Sequence, residues 1–356
     1  MSPSTNLDFT VRTLPSRVVF GAGARGRLAE LMDELGVSRA LVLSTSHQAD
    51  GAGRLAASLG AKAVGTFAEA AMHTPTDVSE RATARARELG ADCTIALGGG
   101  STTGLGKAIA WRTDLLQIVV PTTYAGSEVT PILGQTENGE KTTLKDPKVL
   151  PEAVVYDPEL TVSLPVGMTV TSGLNAMAHA VEALYATDRQ PIATLMAAEG
   201  LRAMHRALPA VVAAPEDPDA RADALYGAWL CGHVLGAVGM ALHHKLCHTL
   251  GGSFDLPHAE THAILLPHTA AYNARAVPEL LAPLARTLDD DVGPGLHAFA
   301  RRLGAPLALA DIGFDESGIE RAATLAAARP YPNPADVTEE GIRALLGRAL
   351  RGDPPE

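Results

Sequence analysis

The feature that most restricts how this chain can fold is a change of pattern near residue 165. Before it, short β-rich runs at 40–45, 61–67, 93–97, 117–121 and 153–157 alternate with helical segments at 24–35, 53–59, 78–89 and 102–111. Such alternation implies a parallel sheet, because each crossover lays a helix on a sheet face and both faces become covered. After Pro165 the residues Ala, Leu, His and Met dominate, and helices are expected at 172–187, 191–207, 219–250, 276–288 and 295–303. The expected architecture is an α/β nucleotide-binding domain over 1–165 followed by an all-helical domain over 166–356. No low-complexity linker separates them, so close packing with a site between is expected. At 356 residues the chain is long enough for both. The closing RGDPPE reads as a frayed tail.

Composition removes several function classes. Lys and Arg number 29 against 40 Asp and Glu, a net charge of −11, and no local basic stripe offsets it, so nucleic acid is not an expected partner. Hydrophobic residues at 46% and charged residues at 19% exclude disorder as the main state. Cys93, Cys231 and Cys247 are odd in number and lack CxxC spacing, which argues against a disulfide framework or thiolate zinc site and suits a reducing cytoplasm. The first residues lack the basic-then-apolar pattern of a secretory signal. The longest apolar stretch, 226–242, carries His233 and four glycines and falls short of a bilayer span, so it reads as a buried helix and no membrane is expected.

Two turns at strand ends are candidate ligand sites. Gly98, Gly99, Gly100, Ser101 and Thr102 close an apolar strand and open a helix, where backbone N–H groups at a positive helix end can approach a phosphate without side-chain obstruction. A plain tight turn explains three glycines equally well. Neither GxGxxG nor a P-loop is present, since Ser101 and Ala108 stand where a P-loop needs Gly and Ser or Thr. The next strand ends in Thr122, Thr123, Ser127 and Thr130, hydroxyls at the carboxyl end of an open α/β sheet, where ligands generally bind.

The second half concentrates histidines. Asn175 and His179 are four apart on one predicted helix, His244 and His248 repeat that spacing on another, and His258 follows Pro257 in an expected short loop after Gly251-Gly252. His243 and His262 lie nearby, whereas His205, His233, His268 and His297 read as ordinary core or surface residues. So many imidazoles in apolar segments point to a catalytic or metal role. As a metal site the set lacks a carboxylate, which disfavours a divalent ion.

Together these motifs resemble the iron-containing (group III) alcohol dehydrogenase superfamily, and more closely its maleylacetate reductase branch, from Phe20-Gly21-Ala22-Gly23 to about Asn333. The resemblance implies a dehydroquinate synthase-like two-domain fold. It implies NADH or NADPH on the Gly98–Ser101 turn and on the TTxxxGSExT loop from Thr122 to Thr130. Thr45 stands where NAD-preferring relatives often carry an acidic residue against the ribose hydroxyls, so both cofactors are expected to be accepted. The metal-binding DxxxH of the alcohol dehydrogenases falls on Asn175 and His179, and their HxxxH and PH fall on His244, His248 and His258. With Asn replacing Asp at 175, a metal is not expected.

The string from His243 to Ala263 and the later Arg329-Pro330-Tyr331-Pro332-Asn333-Pro334 carry the closer resemblance. It implies reduction of a small dicarboxylate enone, maleylacetate, at its C=C bond to 3-oxoadipate. His244 and His248 would polarise and protonate, His179 and His258 would line the same polar pocket, and Asn175 would orient the substrate. Lys245 and Arg329 would hold carboxylates, and Tyr331 would donate a hydrogen bond or form a wall. A homodimer is implied as well. The alternatives are a metal-dependent alcohol or polyol dehydrogenase and a non-redox nucleotide-binding relative.

Overall fold

A computed structural model describes residues 11, 16–137 and 140–356; the opening segment, read above as lacking a secretory signal, lies largely outside them. The chain divides into two compact units, Leu14–Leu164 and Pro165–Glu356.

In the first unit the strands are β1 (Arg17–Phe20), β2 (Ala40–Leu43), β3 (Ala63–Phe67), β4 (Cys93–Gly98), β5 (Leu116–Pro121), β6 (Ile132–Glu137), β7 (Glu140–Lys145) and β8 (Ala153–Tyr156). Its helices are α1 (Leu28–Leu35), α2 (Ala49–Leu59), α3 (Thr76–Glu88) and α4 (Gly100–Thr113). Among the described residues, six strands form one parallel sheet in the order β1-β8-β5-β4-β2-β3. Alternation sends side chains to opposite faces. Val42, Ile95, Ile118 and Val155 join Leu28, Met32 and Leu55 on one side, while Leu41, Leu43, Ala96 and Val119 join Ala82, Leu105 and Ile109 on the other. From β2 the chain runs outward to β3, and β4 then returns to the other side of β2. The order therefore reverses between the carboxyl ends of β2 and β4, the place where open α/β sheets bind ligands. Thr45 follows the first of these ends and the glycine turn follows the second.

The strands expected from sequence are all present. β1 and the antiparallel pair β6–β7 were not foreseen. β1 is a four-residue edge strand and alternates too briefly to be read, and β6 and β7 are rich in polar residues.

The second unit is helical: α5 (Val166–Tyr185), α6 (Pro191–Ala213), α7 (Pro218–Ala237), α8 (Leu242–Phe254), α9 (His258–Ala274), α10 (Pro278–Leu288), α11 (Val292–Arg302), α12 (Gly318–Ala327) and α13 (Glu339–Arg351). α5 is buried on all sides from Thr169 to Tyr185, as a helix apolar all round must be. Gln190 caps α6 and Asp217 caps α7, each accepting two backbone N–H bonds at the helix start and each followed by Pro at the first helical position. No single helix among the described residues is long and apolar enough to cross a membrane.

Three expectations are corrected here. The helix expected over 219–250, including the apolar 226–242, is two helices, α7 and α8, bent by 93° at Val238–Ala241. Gly239 N–H donates to both carboxylate oxygens of Asp188, which holds the chain out of the helical path. Gly251 and Gly252 lie inside α8, and His258 opens α9 where a short loop was expected. The C-terminus is docked: Pro355 is buried, Asp353 N–H returns to Arg348 O, and Glu356 pairs with Arg348.

α6 and α7 approach closely: a Cβ on Gly227 would stand 2.8 Å from Met204 Cγ and 3.1 Å from its backbone nitrogen. Gly227→Ala is expected to lower stability by about 1–3 kcal/mol through overpacking, read as a lower urea midpoint with an unchanged m-value.

Candidate active site

In the first unit the glycine turn is crowded by its own neighbours. A Cβ on Gly98, which has φ of +153°, would fall 2.4 Å from Thr102 Oγ1 and 2.7 Å from Gln48 Oε1, and one on Gly99 would fall 2.7 Å from Thr123 Oγ1. Thr122 N–H donates to Gly98 O, so the two nominated turns are joined, and Gln48 Nε2 donates to Thr122 Oγ1 at 2.9 Å. Thr102 Oγ1, Ser127 Oγ and Ser44 Oγ are buried and have no hydrogen-bond partner among the described residues. Buried hydroxyls left open beside bare backbone at a helix start suit a phosphate ligand. The chemistry of these residues fits a dinucleotide.

A residue unforeseen from sequence fixes the second turn. Lys107, fully buried on α4, donates to Ser127 O at 2.6 Å, Thr130 O at 2.7 Å, Thr130 Oγ1 at 3.0 Å and Ile132 O at 2.8 Å. Burial pulls its pKa down to about 7, against the attraction of Glu128. Glu128, also buried and raised by burial, accepts from Tyr156 OH at 2.8 Å. Thr45 caps a short 3-10 turn at 46–48 and leads into α2.

In the second unit Asn175, His179 and Glu182 follow one another at i, i+4 and i+7 on α5 and so share a face. Glu182 is the one charged residue of that helix. Its Oε2 accepts from His244 Nδ1 at 2.6 Å and Ala241 N at 3.0 Å, and its Oε1 accepts from His243 N at 2.7 Å. Burial pushes the carboxyl up, but His244, His243 and the N–H groups prevail and hold it at about 2. The carboxylate thus occupies the start of α8, whose leading N–H groups and dipole favour an anion. His244 Nε2 lies 2.9 Å from His179 Nδ1, so a continuous path of hydrogen bonds runs from Glu182 through His244 to His179.

The expectation that this cluster lacks a carboxylate is corrected: Glu182 supplies one. It was legible as a lone charge in an otherwise apolar helix, a pattern that demands a buried partner.

The other nominated residues are spread around this path. His258 stacks on His262 with ring centroids 4.3 Å apart, and His248, exposed, meets His244 edge-on at 6.1 Å. Lys245 is half-buried and Arg329 is exposed. Tyr331 packs on the core of α8, α9, α12 and α13 with its hydroxyl buried and no partner among the described residues. Its string is clamped by Asn333, which exchanges amide bonds with Asn273 at 3.0 and 2.8 Å and accepts from Leu242 N. Asn175 Oδ1 is likewise buried without a partner.

As a setting for iron this donor set does not fit. The position four residues before His179 offers a neutral amide in place of an anionic ligand, and the buried carboxylate of Glu182 is already taken by His244 and two backbone N–H groups.

Two family models and several relatives match this chain along its length. The sequence model for iron-containing alcohol dehydrogenase matches residues 15–158, and that for the C-terminal part of the Fe-containing alcohol dehydrogenase family matches 169–350. The chain is 63% identical over 348 residues to the maleylacetate reductase of a Rhizobium species, covering 98% of this chain and 99% of that one. It is 58% identical to the maleylacetate reductase of Sphingobium indicum, covering 98% and 99%. The crystal structure of maleylacetate reductase from Agrobacterium tumefaciens superposes with a TM-score of 0.96 at 61% identity, covering all of both chains. The chain therefore belongs to the iron-containing alcohol dehydrogenase family.

Proposed function

We propose that this protein reduces the conjugated C=C bond of maleylacetate to 3-oxoadipate, with NADH or NADPH and without a metal. The observation that carries the reading is the buried Glu182–His244–His179 path beside Asn175, in a chain so similar to proteins named maleylacetate reductase.

The substrate is a dianion with a ketone conjugated to an alkene. When bound, a nicotinamide supplies the hydride, which adds to the alkene carbon β to the ketone. Charge then gathers on the ketone oxygen as an enolate, and stabilising it is the central task. Glu182 fixes the orientation of His244 from its Nδ1 side, as a carboxylate orients a catalytic histidine elsewhere. His244 acts on the oxygen through His179, whose Nδ1 it faces, and Asn175 orients the substrate beside them. His248, exposed beside His244, carries the proton to the α carbon, with His258 walling the pocket. Lys245 and Arg329 take the carboxylates, and Tyr331 closes the pocket on the side of its clamped string. Gly98–Ser101, Thr102, Thr122, Thr123, Ser127 and Thr130 hold the cofactor. The three cysteines, free and buried, suit a reducing cytoplasm, and the same reading extends to a homodimer.

Purified protein is expected to consume NADH with maleylacetate and to keep its activity after chelation. Turnover of simple aldehydes instead, or EDTA inhibition reversed by Fe²⁺, would overturn the reading in favour of a metal-dependent alcohol dehydrogenase.

His244→Ala should lower kcat by about a hundredfold with NADH binding unchanged, the usual cost of losing an oxyanion-stabilising group. Glu182→Gln puts an amide NH₂ among N–H donors, and should lower kcat together with stability, the latter by about 3 kcal/mol. Steady-state kinetics and urea melts check both.

Thr45→Asp should depress NADPH use far more than NADH use, because a carboxylate there repels a 2′-phosphate. Equal loss with both cofactors in kcat/KM would place the ribose elsewhere.

A further inference from the structure

Beside the path just described lies a second group of donors that the reaction does not use. His243 and Cys247 stand one turn apart on α8, and His262 faces them from α9; one ligating atom from each lies within 4.8 Å of the others, and all three residues are buried. His243 Nε2 is 2.9 Å from His262 Nδ1 and 3.6 Å from Cys247 Sγ.

The hydrogen-bond pattern assigns the lone pairs. Thr269 Oγ1 donates to Leu265 O at 3.0 Å, so toward His243 Nδ1, 2.9 Å away, it accepts. His243 therefore carries its proton on Nδ1 and turns the lone pair of Nε2 toward Cys247 and His262. His262 donates from Nδ1 into that lone pair, which leaves its own Nε2 lone pair buried with no partner among the described residues. One lone pair is thus shared by two donors, and a cation among the three would replace both of those contacts.

We propose that His243, Cys247 and His262 form a binding site for a thiophilic d¹⁰ cation, represented by Zn²⁺, distinct from the family's iron position and inhibitory to the reductase. Two imidazoles and a sulfur, with no oxygen donor in the set, select zinc over Mg²⁺ or Ca²⁺. The observed S···N separation of 3.6 Å matches the roughly 3.5 Å edge of a tetrahedron with ordinary Zn–S and Zn–N bonds. The N···N pair at 2.9 Å has to open by about 0.4 Å to reach the corresponding edge. Binding replaces the N–H···N bond and the S–H bond: the His262 proton moves from Nδ1 to Nε2, and the thiol proton leaves to solvent. Thr269 holds the His243 ring from behind, the outer support that metal-bound histidines commonly have.

Inhibition rests on the function proposed above. The His243 and His262 rings meet the His244 ring at centroid distances of 5.4 and 5.2 Å, and the His243 backbone N–H is bound to Glu182. A divalent charge there competes with His244 for the Glu182 carboxylate and shifts the ring that faces the substrate.

The test uses Co²⁺ as a spectroscopic stand-in and Zn²⁺ as the inhibitor, on the whole protein. Equilibration with Co²⁺ should load one ion per chain and give a thiolate-to-cobalt charge-transfer band in the near ultraviolet, displaced by Zn²⁺. Cys247→Ser and Cys247→Ala should lose the band and the inhibition by Zn²⁺ while keeping basal turnover, and Thr269→Val should weaken binding by about tenfold or more. Cobalt bound without the band, a spectrum unchanged in the Cys247 variants, or no stoichiometric binding overturns the site. Because the wild-type spectrum is read without substrate, it decides the site even if maleylacetate proves not to be reduced or a variant fails to fold. Zinc loading with undiminished turnover overturns the inhibitory part.

Discussion

One buried negative charge organises the helical unit. Glu182 is surrounded by apolar helix, where an unpaired carboxylate would be prohibitively costly, and four donors meet that demand: two backbone N–H groups at the opening of α8, one imidazole and, at 3.4 Å, the Tyr185 hydroxyl. The bend between α7 and α8 follows from the same demand. A continuous helix through 238–241 would consume those N–H groups in its own ladder and leave the carboxylate without partners. The break therefore positions His243 and His244 at the first turn of a new helix, aimed back at α5, where His179 waits one turn from Glu182.

The nucleotide-binding unit solves a parallel problem with the opposite sign. Lys107 is a buried ammonium whose partners are carbonyl oxygens of one loop, so the helix that begins at the glycine turn also shapes the turn that follows the next strand. Gly98 and Gly99 are bare because Thr102, Thr123 and Gln48 fill the space that side chains would need. In both units a charge placed in apolar surroundings acts as a local organiser.

The parts of this architecture that were legible in the sequence are those set by period. Alternation between β2 and β5 marked the parallel sheet, and the glycine and threonine turns were placed correctly because they sit at strand ends. Histidine spacing brought His179 and His244 to one place. What was illegible depends on partners distant in sequence. The bend at Val238–Ala241 is apolar and continuous to the eye, and only Asp188 and Glu182, some 50 to 60 residues earlier, break it. Arg221, charged yet wholly buried, likewise depends on partners elsewhere in the chain, Thr169 Oγ1 and Pro215 O among them. Glycines at 251 and 252 suggested a loop, but α8 continues through them to Phe254, and chain reversal is left to Asp255 in the left-handed conformation.

The pairing of β1 with β8 bears on how the chain is made as well as how it rests. Arg17 is in register with Ala153, and Asp157 just beyond β8 accepts from Gly23 N and Arg25 N. On a ribosome adding roughly 5–20 residues per second, β1 emerges on the order of ten seconds before β8, its neighbour in the sheet among the described residues. Through that interval β2 to β5 can assemble among themselves, each pairing with a strand close in sequence, while the leading strand remains an open edge. Its brevity, four residues with Arg17 at one end and half-exposed Phe20 at the other, limits what a neighbouring nascent chain could add to it. β1 thus waits on the arrival of residues 153–157 before it can pair.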